Sequence, residues 1–591
     1  LIFWPGVAGE FMFYLPITLL TILSSSLVMA LIFIPMLGNL VSFRIKYNQN
    51  FKTLSLLETG NLSEIKGIQL IYLNFLKSCL NYPYKIIIST IILLLSIQFV
   101  YMKIGKGFEF FPPIEPDYAE VVIHARGNLS LEDKDVIIKR VEKHILNNKN
   151  ISNIYSKIGN VKGERRDGSE DIIGSIKLEF VNWKDRPRAK SILNALEKEF
   201  KTIAGVVIEI IEKKDGPPKD KDIDIELSNA SKEMLLKDTK SLIRFLKMQS
   251  WTRNIDDGLS VPGVDWELIV DRSQADKYQI DLIKVGNVIQ MLTHGLKISD
   301  FMPENSDEEV DVVVKFKKNF QTLDELDRIE IESPNGPVSL SSFVQRNPVK
   351  KVGKINRVNS LRSVNIRLDV KDGLVANSKV KEIKNWLENN EDINSNIMFR
   401  GQEEDQEEAK QFLIKAFFVS IFLILIILVA TFENYYYCFI ILTSVIMSTI
   451  GVMIGLVVTQ QPFGVIMSGI GVIALAGIVV NNNIVLLDTF KTIKKTSLNI
   501  HEAILRTSVQ RLRPVLLTTL TTFFGLLPMA MGLNINFLNQ QISLGSPSSQ
   551  WWLQLSNAIV FGVIFSFVLT LIVTPCLILV GERLFNQSRK I

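Results

Sequence analysis

Apolar residues in this chain gather into seven runs of about 18 or more, near 14–37, 85–102, 411–431, 437–459, 463–487, 514–533 and 553–580. Each run is long enough to cross a bilayer as a helix. Lysine and arginine placement orients them. Residues 39–84 and 488–513 carry Arg44, Lys46, Lys491, Lys494, Arg511 and Arg513 among others, whereas 460–462 and 534–550 carry neither residue type. The positive-inside rule puts the first pair of connections, with the tail 581–591, in the cytoplasm and the second pair outside. Tyr435, Tyr436, Tyr437, Trp551 and Trp552 fall at span ends, as interfacial aromatics do.

Between the second and third spans lies a charged block, 103–410, which this topology places outside. Alternating positions predict strands at 118–125, 173–181, 222–228, 309–316 and 363–369. Amphipathic spacing predicts helices at 130–147, 187–201, 230–248 and 374–389. Strand–helix–strand order recurs, which points to paired small α/β sandwiches. The stretch 211–221 reads as a linker, and 262–352 as an inserted subdomain of different pattern. Trp183, Trp266 and Phe316 are assigned to its cores. The fold class expected is a polytopic α-helical membrane protein with a large external α/β domain between its second and third spans.

The fifth run holds the chemistry that a passive anchor does not need. From Gly469 to Asp488 it carries three consecutive asparagines, Asn481, Asn482 and Asn483, together with Gly469, Gly471, Ala474, Ala476 and Gly477. Buried amides need hydrogen-bond partners, and small residues let helices approach closely. Across the following connection, Arg511 and Thr518 stand where the next span enters, at a depth similar to the asparagines. Amide, hydroxyl and guanidinium together suit a group that relays or responds to a proton. The same residues also fit duller roles: asparagines as glue between helices, Thr518 bonded to its own helix. Arg511 and Arg513 beside Pro514 also fit topology anchors at a helix start, and for Arg513 that reading is preferred. Asp488 is expected at the cytoplasmic edge, with Lys491 one turn on.

Composition removes other classes. Hydrophobic residues make up 47% of the chain and charged ones 21%, which fits a membrane protein with a soluble block. The net charge of +5 is modest and unclustered, against nucleic-acid binding. The three cysteines lie in or beside apolar runs, so no disulfide holds the external block. Four scattered histidines lack zinc-ligand spacing, and no phosphate-binding glycine loop exists. Neither cofactor, metal site nor enzyme is expected. The chain starts at Leu1 in mid-hydrophobic sequence and reads as a piece of something longer.

Four strings carry a family resemblance: Phe3-Trp4-Pro5-Gly6 to Phe11; Phe111-Pro112-Pro113 to Asp117; Pro462-Phe463-Gly464 through Asn483 to Asp488; and Arg511 to Thr519. In this order they resemble the C-terminal half of resistance-nodulation-division (RND) efflux transporters of the hydrophobe/amphiphile, AcrB-like class. The resemblance implies that 1–38 is the end of the family's span 5 with span 6, 39–84 a cytoplasmic connector, and 85–102 span 7. It makes 103–222 the first porter subdomain, 223–261 with 353–402 the second, and 262–352 the docking subdomain. Residues 411–487 become spans 8–10, 488–513 a cytoplasmic loop, 514–580 spans 11–12, and 581–591 a cytoplasmic tail.

The same resemblance implies substrate/H+ antiport of amphiphilic small molecules, driven by the proton-motive force, in a Gram-negative inner membrane. Implied partners are the N-terminal half of the same transporter, two further copies in a homotrimer, a periplasmic adaptor (membrane fusion) protein, an outer-membrane channel and membrane lipid. The proton relay is carried over to Asn481, Asn482, Arg511 and Thr518. Asn481 stands where many members have a lysine, so carboxylates on the missing half lose a compensating charge. A substrate pocket is carried over to Tyr155 and Ile158, beside a charged loop Asn160–Gly168. That charged lining favours polar or amphiphilic cargo, and a solvated hairpin tip is the plainer alternative. Few methionines in the external block argue against copper or silver export. The rival readings are an anchored envelope protein that binds a partner without transport, and a split or decayed half-transporter.

Overall fold

The computed structural model describes residues 1–42, 67–112, 114–125, 129–159, 171–212, 221–259, 264–304, 309–317, 320–350, 355–371, 373–390, 393–496, 499–537 and 540–588. Among these, seven helices are long and apolar enough to cross a membrane: Ala8–Leu40, Pro83–Ile104, Gln402–Phe432, Tyr435–Thr459, Met467–Lys495, Ile500–Ala530 and Pro547–Leu584. They are called the first to the seventh apolar helix. Their ends follow local chemistry. Pro83 and Pro547 open the second and seventh at first-turn positions, where no N–H is needed. Asn434 caps the fourth by accepting from the backbone N–H of Tyr436. The chain between the third and fourth turns on Glu433 at φ 55°.

These helices are not equivalent. Of the most apolar window, 61%, 56% and 72% is buried in the fourth, fifth and seventh, against 0%, 11%, 11% and 17% in the first, second, third and sixth. The fourth, fifth and seventh are therefore the centre of the bundle. Small residues bring them together. A Cβ on Gly455 of the fourth helix would lie 2.7 Å from the Phe561 ring of the seventh. Gly471 of the fifth lies over Ala558, and Gly562 of the seventh against Leu475. The seventh helix contains one π turn, Leu569–Val573, and continues as α-helix beyond it.

Two sequence expectations change here. Pro514 does not begin a helix: the sixth runs unbroken from Ile500 to Ala530 with Pro514 and Pro528 inside it. Buried side chains from Ala503 to Val509 carry the first turns, and their packing outweighs the local proline signal. Tyr437 is not an interfacial aromatic but buried, while Tyr435 is exposed.

The α/β block leaves the second helix through β1 (Phe108–Glu109). A first unit follows: β2 (Tyr118–Ala125), α1 (Leu131–Leu146), β3 (Ile151–Ile158), β4 (Ile172–Phe180), α2 (Ala189–Phe200) and β5 (Val206–Glu212). Its antiparallel sheet has the order β3-β4-β2-β5, with both helices packed on a core of Val121, Ile138, Ile176 and Leu193. Ser130 caps α1 by accepting from the Asp133 N–H.

The second unit repeats the plan around an insertion. It comprises β6 (Ile223–Asn229), α3 (Lys232–Met248), β7 (Thr252–Asp256), β8 (Leu361–Val370), α4 (Ala376–Glu388) and β9 (Asn396–Arg400), in sheet order β7-β8-β6-β9. The insertion has its own small core of Ala275, Val285, Leu292 and Phe343. Trp266, expected in a core, is 46% exposed on the insertion, with the Arg346 guanidinium 5.6 Å from its ring. It lies on a two-stranded ladder, opposite Pro348 of the strand Val344–Lys350, while Leu268 and Val270 of its own strand pack on the core. Trp183 and Phe316 are half-buried. From β9 the chain passes through Gly401, at φ 62°, straight into the third apolar helix. A further short strand, β10 (Phe463–Gly464), leads into the fifth and pairs in parallel with β1.

Candidate functional site

A residue in an α-helix is turned about 100° from its neighbour, so three adjacent asparagines face three ways. Asn481 is exposed, Asn482 is buried, and Asn483 is wholly enclosed. Asn483 donates to the Val479 carbonyl of its own helix at 2.9 Å. Its side-chain carbonyl accepts from Thr574 of the seventh helix, also at 2.9 Å. Thr574 lies 3.5 Å from the Ser444 hydroxyl of the fourth. This polar thread joins the three central helices, each such bond contributing about 0.6 kcal/mol. Asn483 is thus the structural asparagine of the triplet.

The sixth helix runs antiparallel to the fifth. Arg511 does not meet Thr518 or the asparagines. Its Nε donates to the Thr489 hydroxyl at 2.5 Å, and Thr489 donates to Val485 O at 2.8 Å. That contact fixes relative depth. Seven residues from Thr489 lead back to Asn482, and seven from Arg511 lead on to Thr518, about 10 Å in each case. Thr518 therefore lies level with Asn482. Both Asn481 and Thr518 face outward, and the Thr518 hydroxyl donates to Val515 O at 3.0 Å. Its neighbour Thr519 is buried instead, its hydroxyl without a hydrogen-bond partner among the described residues. On the fifth helix, Gly477, Asn481 and Asp488 form an exposed polar stripe at helical spacing.

A second cluster closes the end of the bundle remote from the α/β block. Glu582 accepts from the Tyr437 hydroxyl at 2.8 Å and from Lys494 Nζ at 2.6 Å through both oxygens. It ties the ends of the fourth, fifth and seventh helices. Lys491, expected beside Asp488, reaches the Phe432 carbonyl at 3.5 Å. The sequence gives little warning of this cluster, because Tyr437 and Glu582 are 145 positions apart.

A third cluster joins the two α/β units. His124 on β2 has Asp171 3.4 Å from Nδ1 and Glu209 of β5 3.6 Å from Nε2. Lys221, its side chain 3% exposed, holds Glu209 at 2.7 Å and donates to Asn254 O of the second unit at 2.7 Å. Burial pulls the His124 pKa down, but hydrogen bonds and charge from Asp171 and Glu209 outweigh it and raise it to about 9. Arg253 on β7 adds an ion pair to Glu197 on α2 at 2.6 Å. Tyr155 and Ile158 lie on β3, with Tyr155 exposed and Ile158 half-buried. The charged loop that was to complete a pocket with them, from Asn160 on, lies outside the described residues. No group of three or more metal-ligating side chains occurs among the described residues.

A family model for the AcrB/AcrD/AcrF transporters matches residues 1–581. The chain belongs to this family. It is thus an RND permease chain, with several apolar helices and α/β domains. The swarming motility protein SwrC of Bacillus subtilis (strain 168) is 24% identical over 595 residues, which cover 96% of this chain and 52% of SwrC. Two crystal forms of a heavy metal efflux pump share the fold at 18% identity. Form II has a TM-score of 0.73, covering 87% of this chain and 52% of that one; form I has 0.70, covering 89% and 54%. The chain therefore spans about half the length of these relatives.

Proposed function

We propose that this AcrB/AcrD/AcrF-family chain supplies half of a proton-driven exporter of amphiphilic small molecules. The observation that carries the reading is the outward polar face of two adjacent apolar helices. Asn481 and Thr518 lie at matching depth, uncovered, beside Gly477. An amide left toward hydrocarbon costs several kcal/mol, so another polar surface covers that face in the working protein. A second transmembrane half bearing acidic groups is the occupant that fits. The chain's coverage of half its relatives' length agrees with it.

In this reading the block of two α/β units is periplasmic, with 103–222 and 223–261 plus 353–402 as porter subdomains and 262–352 as the docking part. Partners are the N-terminal half, two further copies, an adaptor and an outer-membrane channel. The solved pumps of like fold are named for heavy metal export. At 18% identity that likeness carries fold alone. The amphiphile assignment rests on the charged, polar sequence after Tyr155 and the scarcity of thioethers in the block.

The test is export of a fluorescent amphiphilic cation from cells carrying the complete transporter. Asn481→Ala with Thr518→Ala should lower export by roughly tenfold without lowering membrane abundance. Unchanged export removes the relay assignment. Loss of export with proton flux into proteoliposomes retained moves these residues from proton handling to substrate handling.

A further inference from the structure

Where the α/β block meets the bundle, three side chains of the seventh helix form one polar line at i, i+4 and i+7: Gln550, Gln554 and Asn557. Each one grips a different strand of chain. Gln554 donates to the Glu109 carboxylate of β1. Asn557 donates to Gln461 just before β10, at 3.0 Å. Gln550 accepts from the Glu115 N–H at 2.9 Å.

Between these grips, β1 and β10 are joined directly. Phe463 N–H donates to Gly107 O at 2.9 Å and Val465 N–H to Glu109 O at 2.8 Å. The Phe108 and Phe463 rings meet edge-on at 5.6 Å. A Cβ on Gly464 would overlap the Gln554 carboxamide, so the glycine is what lets Gln554 reach Glu109. Tyr101 of the second helix donates to Gly107 O at 2.8 Å. Beyond β1, Glu115 holds the fully buried Arg186 at 2.5 Å and the Ala189 N–H at the start of α2, also at 2.5 Å.

This path leads from the fifth and seventh helices into the first α/β unit through short polar bonds and one aromatic contact. The second unit has a root of its own, running through Gly401 into the third helix, with Arg400 on Glu404 at 3.0 Å, and its helix α4 also comes against β1. We propose that the β1–β10 bridge with Glu109, Gly464 and Gln554 is a rigid joint by which movement of the fifth helix shifts the first unit against the second. The inference rests on the transport reading for its purpose. Glu109, Gly464 and Gln554 are positioning residues: they touch neither cargo nor proton but carry displacement. Bonds this short between two strands transmit force because packed interfaces shift between discrete arrangements and do not stretch.

The experiment places spin labels on exposed sites of the two units, Lys149→Cys and Lys237→Cys, in the complete transporter. Their separation is measured by pulsed electron resonance at mildly acid and neutral pH, beside export. In the otherwise unaltered protein the separation shifts with pH. Gln554→Leu and Gly464→Ala should abolish that shift and lower export roughly tenfold at equal abundance. Glu109→Gln, whose amide carbonyl still accepts from Gln554, should retain both. A full shift in Gln554→Leu and Gly464→Ala overturns the joint. So does a separation that never responds in the unaltered protein, whether or not export occurs. A responsive separation without export, abolished by the two variants, supports the joint and sinks only the proposed function.

Discussion

Replacing His124 by glutamine isolates the charge that holds β2 to Asp171 and to Glu209 of β5 within the first unit. The imidazole stands between Asp171 and Glu209, 3.4 and 3.6 Å away, with its side chain 13% exposed. Its pKa in the folded protein is about 9, against about 6.5 for an unperturbed histidine. At 1.36 kcal/mol per unit, the protonated ring contributes about 3 kcal/mol to stability. Because the folded value is the raised one, that contribution is complete below about pH 6.5 and disappears as pH climbs through about 9. Thermal unfolding of the detergent-purified protein, followed by scanning fluorimetry between pH 6 and 9, gives the readout. The midpoint should fall over that range in the unaltered protein and much less in His124→Gln, which should start lower at pH 6. Parallel pH curves for the two proteins refute the assignment of charge to His124.

Three further outcomes follow from the same contacts. Gly455→Ala sets a methyl group about 2.7 Å from the Phe561 ring and should cost about 1–3 kcal/mol, read as a lower unfolding midpoint in detergent. Glu582→Gln removes the charge that holds Lys494 and should cost roughly 1–3 kcal/mol, whereas Tyr437→Phe loses one hydrogen bond and about 1 kcal/mol; equal losses would contradict the geometry. Asn481→Lys restores a positive charge on the outward face, lowers the pKa of facing carboxylates, and should move half-maximal transport to lower pH; a move upward, or none, argues that no carboxylates face it.

How far the chain could be read before its structure depended on how local each signal was. The expected strand at 118–125 and helix at 130–147 coincide almost residue for residue with β2 and α1, because alternation, a Ser130 cap and acidic first-turn residues all agree. β3 was not foreseen: its burial is irregular along Ile151–Ile158, since an edge strand needs only part of one face covered. The end of β5 overlaps the expected linker, because it merges with the charged stretch after it. The asparagine triplet was conspicuous in sequence, yet which of the three points inward depends on the fourth and seventh helices and their Ser444 and Thr574. Arg511 shows the same limit, its partner Thr489 being set by the depth at which two helices pass. Glu582 falls in the stretch that reads as a tail, and nothing near it in the chain announces Tyr437 or Lys494.

The π turn at Leu569–Val573 has a geometrical effect on the whole seventh helix. Such a turn houses one residue more than an α-helical one, which offsets everything beyond it by about 100° from the phase of an unbroken helix. Gln550, Gln554 and Asn557 lie before the offset; Thr574, Cys576 and Glu582 lie after it. One continuous rod therefore presents its polar side in two compass directions, toward β1 and β10 at one end and toward the fourth and fifth helices at the other. An uninterrupted α-helix of the same sequence would satisfy one set of contacts and turn the other away.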